Sequence, residues 1–155
     1  MAALDVFAAF GANVSIENDV LHIKRGELRG IEVNARDIPD MVPAIAVTAA
    51  FAKGKTVIHS AERLRIKESD RIKTTLAVLT AMGIKTEEKP DGMIIYGGQP
   101  RGAVIDGAND HRIVLSAAVG AAFAEGESLI TGAQAINKSY PEFFEDFKKI
   151  GGKAE

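Results

Sequence analysis

A shift of 72 positions lays this chain on itself. Gly11 falls on Gly83, Arg29 and Gly30 on Arg101 and Gly102, and the run Ala49, Ala50, Phe51, Ala52 on Ala121, Ala122, Phe123, Ala124. Gly54 then meets Gly126 without a gap. Self-similarity of this period marks stacked supersecondary units, each unable to bury its apolar face alone. It constrains the fold strongly, because each element should recur together with its neighbours. The polar residues that break the repeat become the candidates for chemistry. Where the shared apolar segment begins, one copy carries Asp40 and the other Arg112.

Each copy reads as strands, a buried helix, a strand and an amphipathic helix. In the first, residues 13–16 and 20–24 alternate around Asn18 and Asp19, a hairpin signal. A short strand follows at 31–33. Asp37 is placed to cap a helix with Pro39 in its first turn. Over 41–52 that helix is apolar almost all round, so burial on every side is expected. Gly54 ends it before a strand at 56–58. Ile72, Leu76, Leu79 and Met82 then mark one face of a helix that Gly83 stops.

The second copy offers strands at 86–89 and 93–96 around Pro90, Asp91 and Gly92, and a short strand at 104–105. Asn109 or Asp110 can cap an apolar helix over 111–124, with a return strand at 128–130. A final helix carries Tyr140, Phe143, Phe144, Phe147 and Ile150, with Lys148 and Lys149 in its last turn, where the dipole favours cations. The fold class is α/β, with small mixed sheets surrounding buried helices. Repeat unit one spans about 11–82 and unit two about 83–152. Leu4, Phe7, Ala8 and Phe10 resemble the tail of a helix stopped at Gly11, which suggests a fragment.

Composition narrows the function. With 46% apolar and 26% charged residues, 155 residues suit a soluble globular chain with a real core. A net charge of −2 and a pI near 6.0 supply no global field for nucleic acid or an anionic membrane, so any anion site must be local. The absence of cysteine removes disulfides and thiolate metal sites. His22, His59 and His111 have no ligand partner at helical spacing, so no metal is expected. No apolar run reaches the roughly 20 residues that span a bilayer, and residues 1–10 lack a basic leader or cleavage pattern. A cytoplasmic location is expected.

The densest charged cluster is Arg63, Arg65, Lys67, Glu68, Ser69, Asp70 and Arg71, between a strand and a helix start. A solvated loop capped by Ser69 or Asp70 is the plain alternative. Against it, the second copy places Asn109, Asp110, His111 and Arg112 at its buried helix and Asn137, Lys138 and Ser139 before its last one. An arginine at the start of a buried helix is costly unless it is paired or faces a ligand. Arg71, Arg112 and Lys138 together suit a small, multiply charged anion, because arginine forks and lysine point charges fit carboxylate and phosphate. Asp40 and Glu68 turn such a pocket into a candidate reaction site, since carboxylates beside cations can accept or deliver protons. His111 reads as a core histidine or helix-start hydrogen-bonder ahead of a proton shuttle.

Four motifs then stand in order: Ile38, Pro39, Asp40; the run from Arg65 through Ile66, Lys67, Glu68, Ser69 and Asp70 to Arg71; Asn109, Asp110, His111, Arg112; and Lys138, Ser139, Tyr140, Pro141. In order and spacing they resemble the 5-enolpyruvylshikimate-3-phosphate synthase family (3-phosphoshikimate 1-carboxyvinyltransferase), over nearly the whole chain. The related UDP-N-acetylglucosamine enolpyruvyl transferase shares the fold but uses a cysteine-bearing loop and lacks this motif set. The resemblance implies an enolpyruvyl transferase-like, inside-out α/β barrel lobe built from βαβαββ units around parallel buried helices. On size, the chain would hold two units of the C-terminal lobe, and the N-terminal lobe would be absent.

The same resemblance implies roles. Asp40 matches the aspartate on the shikimate 5-hydroxyl, proposed as its base. Glu68 matches the glutamate that manages the proton at C3 of phosphoenolpyruvate, and Lys67 a lysine on the shikimate phosphate substrate. Arg71, Arg112 and Lys138 match cations that hold phosphoenolpyruvate. The implied reaction adds the 5-hydroxyl to C2 of the enol and then expels phosphate, as in the shikimate pathway of aromatic amino acid biosynthesis. It needs no metal or organic cofactor. Arg63 stands near where some family members have a small polar residue and is left out of the site. The implied partners are phosphoenolpyruvate, shikimate 3-phosphate and the missing lobe, without which the isolated chain is expected to be inactive. A stand-alone anion-binding or interaction module without turnover is the alternative. Without a third unit, the helices at 41–52 and 111–124 should lack one neighbour, leaving an apolar patch that favours self-association.

Overall fold

The computed structural model describes residues 3–24 and 26–155, so the first residues of the apolar stretch 1–10 lie outside it. The elements run α1 (Ala3–Ala9), β1 (Asn13–Glu17), β2 (Val20–Lys24), β3 (Glu32–Asn34), α2 (Val42–Ala50), β4 (Lys55–His59), α3 (Arg71–Ala81), β5 (Lys85–Lys89), β6 (Gly92–Tyr96), β7 (Val104–Asp106), α4 (His111–Phe123), β8 (Leu129–Thr131) and α5 (Phe143–Lys149). Short 3-10 turns at Pro39–Met41, Glu62–Ile66 and Ala133–Lys138 separate them.

The sequence period is also a structural one. The parallel bridge Arg29 to Lys53 recurs at Arg101 to Glu125. The amide of Val57 bonds the Ile31 carbonyl at 2.9 Å, and that of Leu129 bonds the Ala103 carbonyl at the same distance. Gly54 and Gly126 share φ of +92°, a left-handed stop that a side chain would strain, so glycine recurs there. One complete sheet runs β3-β4-β6-β5, with β3 parallel to β4 and the remaining pairs antiparallel. It takes strands from both sides of position 83, so the repeat boundary read from the sequence crosses a packed sheet. The other two sheets are pairs, β1-β2 and β7-β8.

The helix α2 has the expected burial: Val42, Ile45, Ala46, Val47, Ala49 and Ala50 are all buried. It meets α4 at Gly120, where a Cβ would stand 3.1 Å from Val47 Cγ1; a glycine lets the two helices close up. The helix α4 is less enclosed, with Val119 44% and Phe123 73% exposed. Three expectations need correcting. Asp37 does not cap α2: Pro39 opens a 3-10 turn instead, Ile38 stands before it, and no side chain caps either turn or helix. The last helix begins only at Phe143, leaving Tyr140 outside it, because residues 133–138 wind as a 3-10 turn. Ile150 follows that helix, exposed rather than packed with Phe147. Among the described residues no helix is long and apolar enough to cross a membrane.

Candidate functional site

The starts of α2, α3 and α4 converge, and each delivers charge. Asp40 lies in the turn before α2, Arg71 is the first residue of α3, and Asp110, His111 and Arg112 open α4. The side chain of Arg71 is 3% exposed and that of Asp110 is fully buried. Arg71 Nε donates to Asp110 Oδ2 at 2.8 Å, Nη2 to Oδ1 at 3.1 Å, and Nη1 to Asp40 Oδ1 at 2.8 Å. Ser69 Oγ and the Arg112 amide donate to the same Asp110 carboxylate at 2.9 and 3.0 Å. Four donors meet the roughly four lone-pair sites of a carboxylate, so this buried charge is fully satisfied. Burial pushes the Asp110 pKa up, but Arg71, Ser69 and the Arg112 amide together bring it below the ordinary carboxylate value.

The loop ahead of α3 is fixed from two sides. Asp70 caps the helix by accepting from the Lys73 amide at 3.2 Å. Arg65 donates to the carbonyls of Pro90 and Lys89 at 2.9 and 2.7 Å and pairs with Asp70 and Glu88, clamping the loop to the β5-β6 turn. Lys67 and Glu68 are thereby presented beside the buried pair. Lys67 Nζ is 3.3 Å from Asp40 Oδ1, and Glu68 Oε2 is 3.3 Å from Lys138 Nζ. His111 Nδ1 stands 3.0 Å from Glu68 Oε1, near enough for charge attraction, though not aligned as a hydrogen bond.

Backbone strain serves the same cluster. Ala108 and Asn109 take φ of 52° and 50°, left-handed values that cost free energy outside glycine. Asp106 Oδ1 holds the Ala108 amide at 2.8 Å, and the Asn109 carbonyl accepts from Lys138. The turn aims Asp110 inward and draws Lys138 onto the site. Burial works against ionisation of Asp40 and Glu68 too. For Asp40 it is outweighed by the bond and charge of Lys67 and the charges of Arg112 and Arg71, and for Glu68 by His111 and Lys138. Both carboxyls sit below their usual range and are ionised at neutral pH.

All six residues expected from the sequence, Asp40, Lys67, Glu68, Arg71, Arg112 and Lys138, thus belong to one cluster. Arg112 differs from the other cations: its guanidinium makes no hydrogen bond or ion pair with the described residues, yet its charge acts on Asp40. Its guanidinium N–H groups are uncommitted among the described residues and so free to take an incoming anion. Asp110 was expected only as a cap; its second task, seating Arg71, rests on a contact across 39 positions of the sequence. Ser69 and Arg65 carry structural tasks that the sequence did not separate from a solvated loop. Oxygen and nitrogen donors of Glu68, Asp110 and His111 lie within 4.8 Å of one another, the geometry of a possible cation site. Asp110 already spends its acceptors on Arg71, Ser69 and the Arg112 amide, so a divalent ion would have to displace a guanidinium.

The sequence model for EPSP synthase (3-phosphoshikimate 1-carboxyvinyltransferase) matches residues 1–147 of this chain. The chain belongs to the EPSP synthase family. A 3-phosphoshikimate 1-carboxyvinyltransferase of Thermococcus kodakarensis is 41% identical over 150 residues, covering 97% of this chain and 37% of the relative. That of Methanocella arvoryzae is 42% identical over 156 residues, covering 99% and 37%. The chain therefore spans little more than a third of the curated relatives it matches. Among solved structures, an EPSP synthase from Acinetobacter baumannii superposes with a TM-score of 0.91 at 31% identity, over 98% of this chain and 39% of that one. The enolpyruvyl transferase NikO from Streptomyces tendae gives 0.80 at 22% identity, over 97% and 35%, a likeness of fold alone. The expected enolpyruvyl transferase-like α/β fold is the one observed.

Proposed function

We propose that this chain is the C-terminal part of the enzyme that transfers the enolpyruvyl group of phosphoenolpyruvate to the 5-hydroxyl of shikimate 3-phosphate, releasing phosphate. What supports this is the cluster at the starts of α2, α3 and α4: two ionised carboxylates among four cations, one of them, Arg112, without a hydrogen bond or ion pair among the described residues. In this reading Arg112, Lys138 and the spare N–H groups of Arg71 hold phosphoenolpyruvate, while Lys67 takes the shikimate phosphate. The 5-hydroxyl oxygen adds to C2, Asp40 accepts its proton, and C3 gains a proton under the control of Glu68. In the second step C3 gives up a proton, the C2–oxygen bond to phosphate breaks, and the double bond returns with inorganic phosphate as leaving group. Cations placed where the phosphate charge accumulates stabilise that step.

The depressed pKa of Asp40 makes it a weak base while its cations face it. Anionic substrates compete for Lys67, Arg71 and Arg112, so binding them raises its basicity when it is needed. A half-site alone lacks both positioning and water exclusion, so turnover requires the N-terminal lobe of the same enzyme. A cytoplasmic setting fits phosphorylated small-molecule substrates. The apolar surface at Val119 and Phe123 favours self-association of the chain. Isothermal titration of phosphoenolpyruvate and shikimate 3-phosphate, singly and together, tests the assignment. Weak binding lost in Arg112→Ala is expected; equal binding by the variant would overturn it.

A further inference from the structure

Lys67 and Glu68 sit on a stretch that its own backbone does not hold. Among the described residues, Glu68 and Ser69 make no backbone-to-backbone hydrogen bond, and Lys67 leaves the preceding 3-10 turn in an extended conformation. Side chains fix the stretch instead, and they are of two kinds. Lys67 with Asp40, and Glu68 with Lys138, are pairs that an anionic ligand would contest, because it competes for the same cations. The contacts of Arg65 lie outside that competition.

Arg65 uses its whole fork. Nη1 meets Asp70 at 3.0 Å and Glu88 at 2.9 Å, Nη2 donates to the Lys89 carbonyl at 2.7 Å, and Nε to the Pro90 carbonyl at 2.9 Å. The pair with Asp70 closes residues 65–70 at their base, so Lys67 and Glu68 stand on a loop with a fixed neck. The two carbonyls and Glu88 join that neck to the end of the β5-β6 hairpin. Asp91, in the turn of the same hairpin, accepts from the Ser60 amide through its carboxylate at 3.1 Å and from the Ala61 amide through its carbonyl at 2.7 Å. The hairpin therefore grips the segment both before and within the 3-10 turn at Glu62–Ile66.

The repeat shows that this grip is an addition to the scaffold. Moved by 72 positions, Ser60 falls on Gly132, and both take a left-handed φ, 56° and 68°, ahead of a 3-10 turn. Glycine adopts that conformation freely; at Ser60 it is held by the bonds to Asp91. Arg65 falls on Asn137, which cannot supply a charged fork. The copy that carries Lys67 and Glu68 is the one that carries the clamp.

We propose that Arg65 is a positioning residue: it keeps Lys67 and Glu68 in place once anionic substrates have drawn away the groups those two pair with in the free chain. Its kinetic consequence rests on the enolpyruvyl-transfer reading above; the ordering of the loop does not. A lysine at this position keeps a charge facing Asp70 and Glu88 but loses the planar fork that reaches both carbonyls.

Two measurements test this. The first is nitrogen-15 relaxation of the chain with Lys138→Ala, which releases Glu68 from its contested partner without any ligand. There the amides of Lys67, Glu68 and Ser69 should keep order parameters near about 0.85; adding Arg65→Ala should bring them below about 0.6 while α2 and α4 stay rigid. Rigid loop amides in the double variant would overturn the proposal. The second is phosphate release by the chain paired with the part of the Thermococcus kodakarensis relative that it does not span. Arg65→Ala should lower kcat about ten- to a hundredfold and change the KM for phosphoenolpyruvate less than about threefold, because Arg71, Arg112 and Lys138 lie outside the loop. Arg65→Lys should recover part of the rate, and millimolar guanidinium should restore Arg65→Ala without affecting the parent. An unchanged kcat, or a loss of rate that neither lysine nor guanidinium relieves, would overturn the positioning role. A parent complex that releases no phosphate would count against the enolpyruvyl reading, and the order parameters would then decide on Arg65.

Discussion

Replacing Asp110 by alanine is the perturbation whose cost the structure defines best. It removes the carboxylate that receives Arg71 Nε, Arg71 Nη2, Ser69 Oγ and the Arg112 amide. Arg71 would stay buried with only Asp40, which is half exposed, as counter-charge. Breaking a buried pair by deleting one partner costs about 3–5 kcal/mol. Loss of the α4 cap accounts for about 1 kcal/mol within that range. We expect a destabilisation of about 4 kcal/mol, a large share of the ~5–15 kcal/mol that holds such a chain folded. At this length the melting temperature would fall by about 8–16 °C. Urea unfolding followed by circular dichroism at neutral pH measures it. Asp110→Asn keeps an acceptor for the cap and should cost about half as much. In a cycle with Arg71→Met, the double variant should recover about 2–3 kcal/mol relative to the sum of the single changes. A cost for Asp110→Ala below about 1 kcal/mol, or strict additivity in the cycle, would refute the reasoning.

Asp110, Asp40 and Glu68 all have folded-state pKa values below the ordinary ones. Their stabilisation is therefore full above the unfolded carboxylate range near about 4 and is lost as pH falls through the depressed values. The urea midpoint should decline on that acid limb, and Asp110→Asn should flatten it; an unchanged slope would contradict the assignment. Arg112→Ala should leave the urea midpoint within about 0.5 kcal/mol of the parent, whereas Arg71→Ala should cost several times more, because only Arg71 is built into the buried pair. Thr75 Oγ1 is buried without a hydrogen bond to any described residue, so Thr75→Val should add about 1 kcal/mol, seen as a rise in melting temperature. A fall would show that the hydroxyl is satisfied.

Much of the scaffold was legible because it rests on local rules. Asn18 and Asp19 adopt φ of 51° and 62°, the left-handed pair a two-residue hairpin demands, and both side chains tolerate it. Gly83 ends α3 with φ of +81°, and the all-round apolar run before Gly54 became the buried α2. The misses share a cause: they depend on contacts distant in sequence. Nothing local tells that Pro39 will open a 3-10 turn and deprive Asp37 of its cap. Ile150 has helical spacing from Phe147, but among the described residues no element covers it, and it is exposed. In the site, residue types and position singled out Asp40, Glu68, Arg71, Arg112 and Lys138, and the family resemblance added Lys67. The inward turn of Asp110 was not legible, because it depends on strained backbone at Ala108 and Asn109 and on an arginine 39 positions away.

The central claim is that this cluster performs one half of an enolpyruvyl transfer. It is tested most directly by co-purifying the chain with the part of the Thermococcus kodakarensis relative that it does not span and measuring phosphate release. Supplied with phosphoenolpyruvate and shikimate 3-phosphate, the complex should release phosphate where neither polypeptide does alone. Glu68→Gln should lower the rate about a hundredfold or more, with the complex intact. No phosphate from a stable complex, or an undiminished rate in Glu68→Gln, would contradict it.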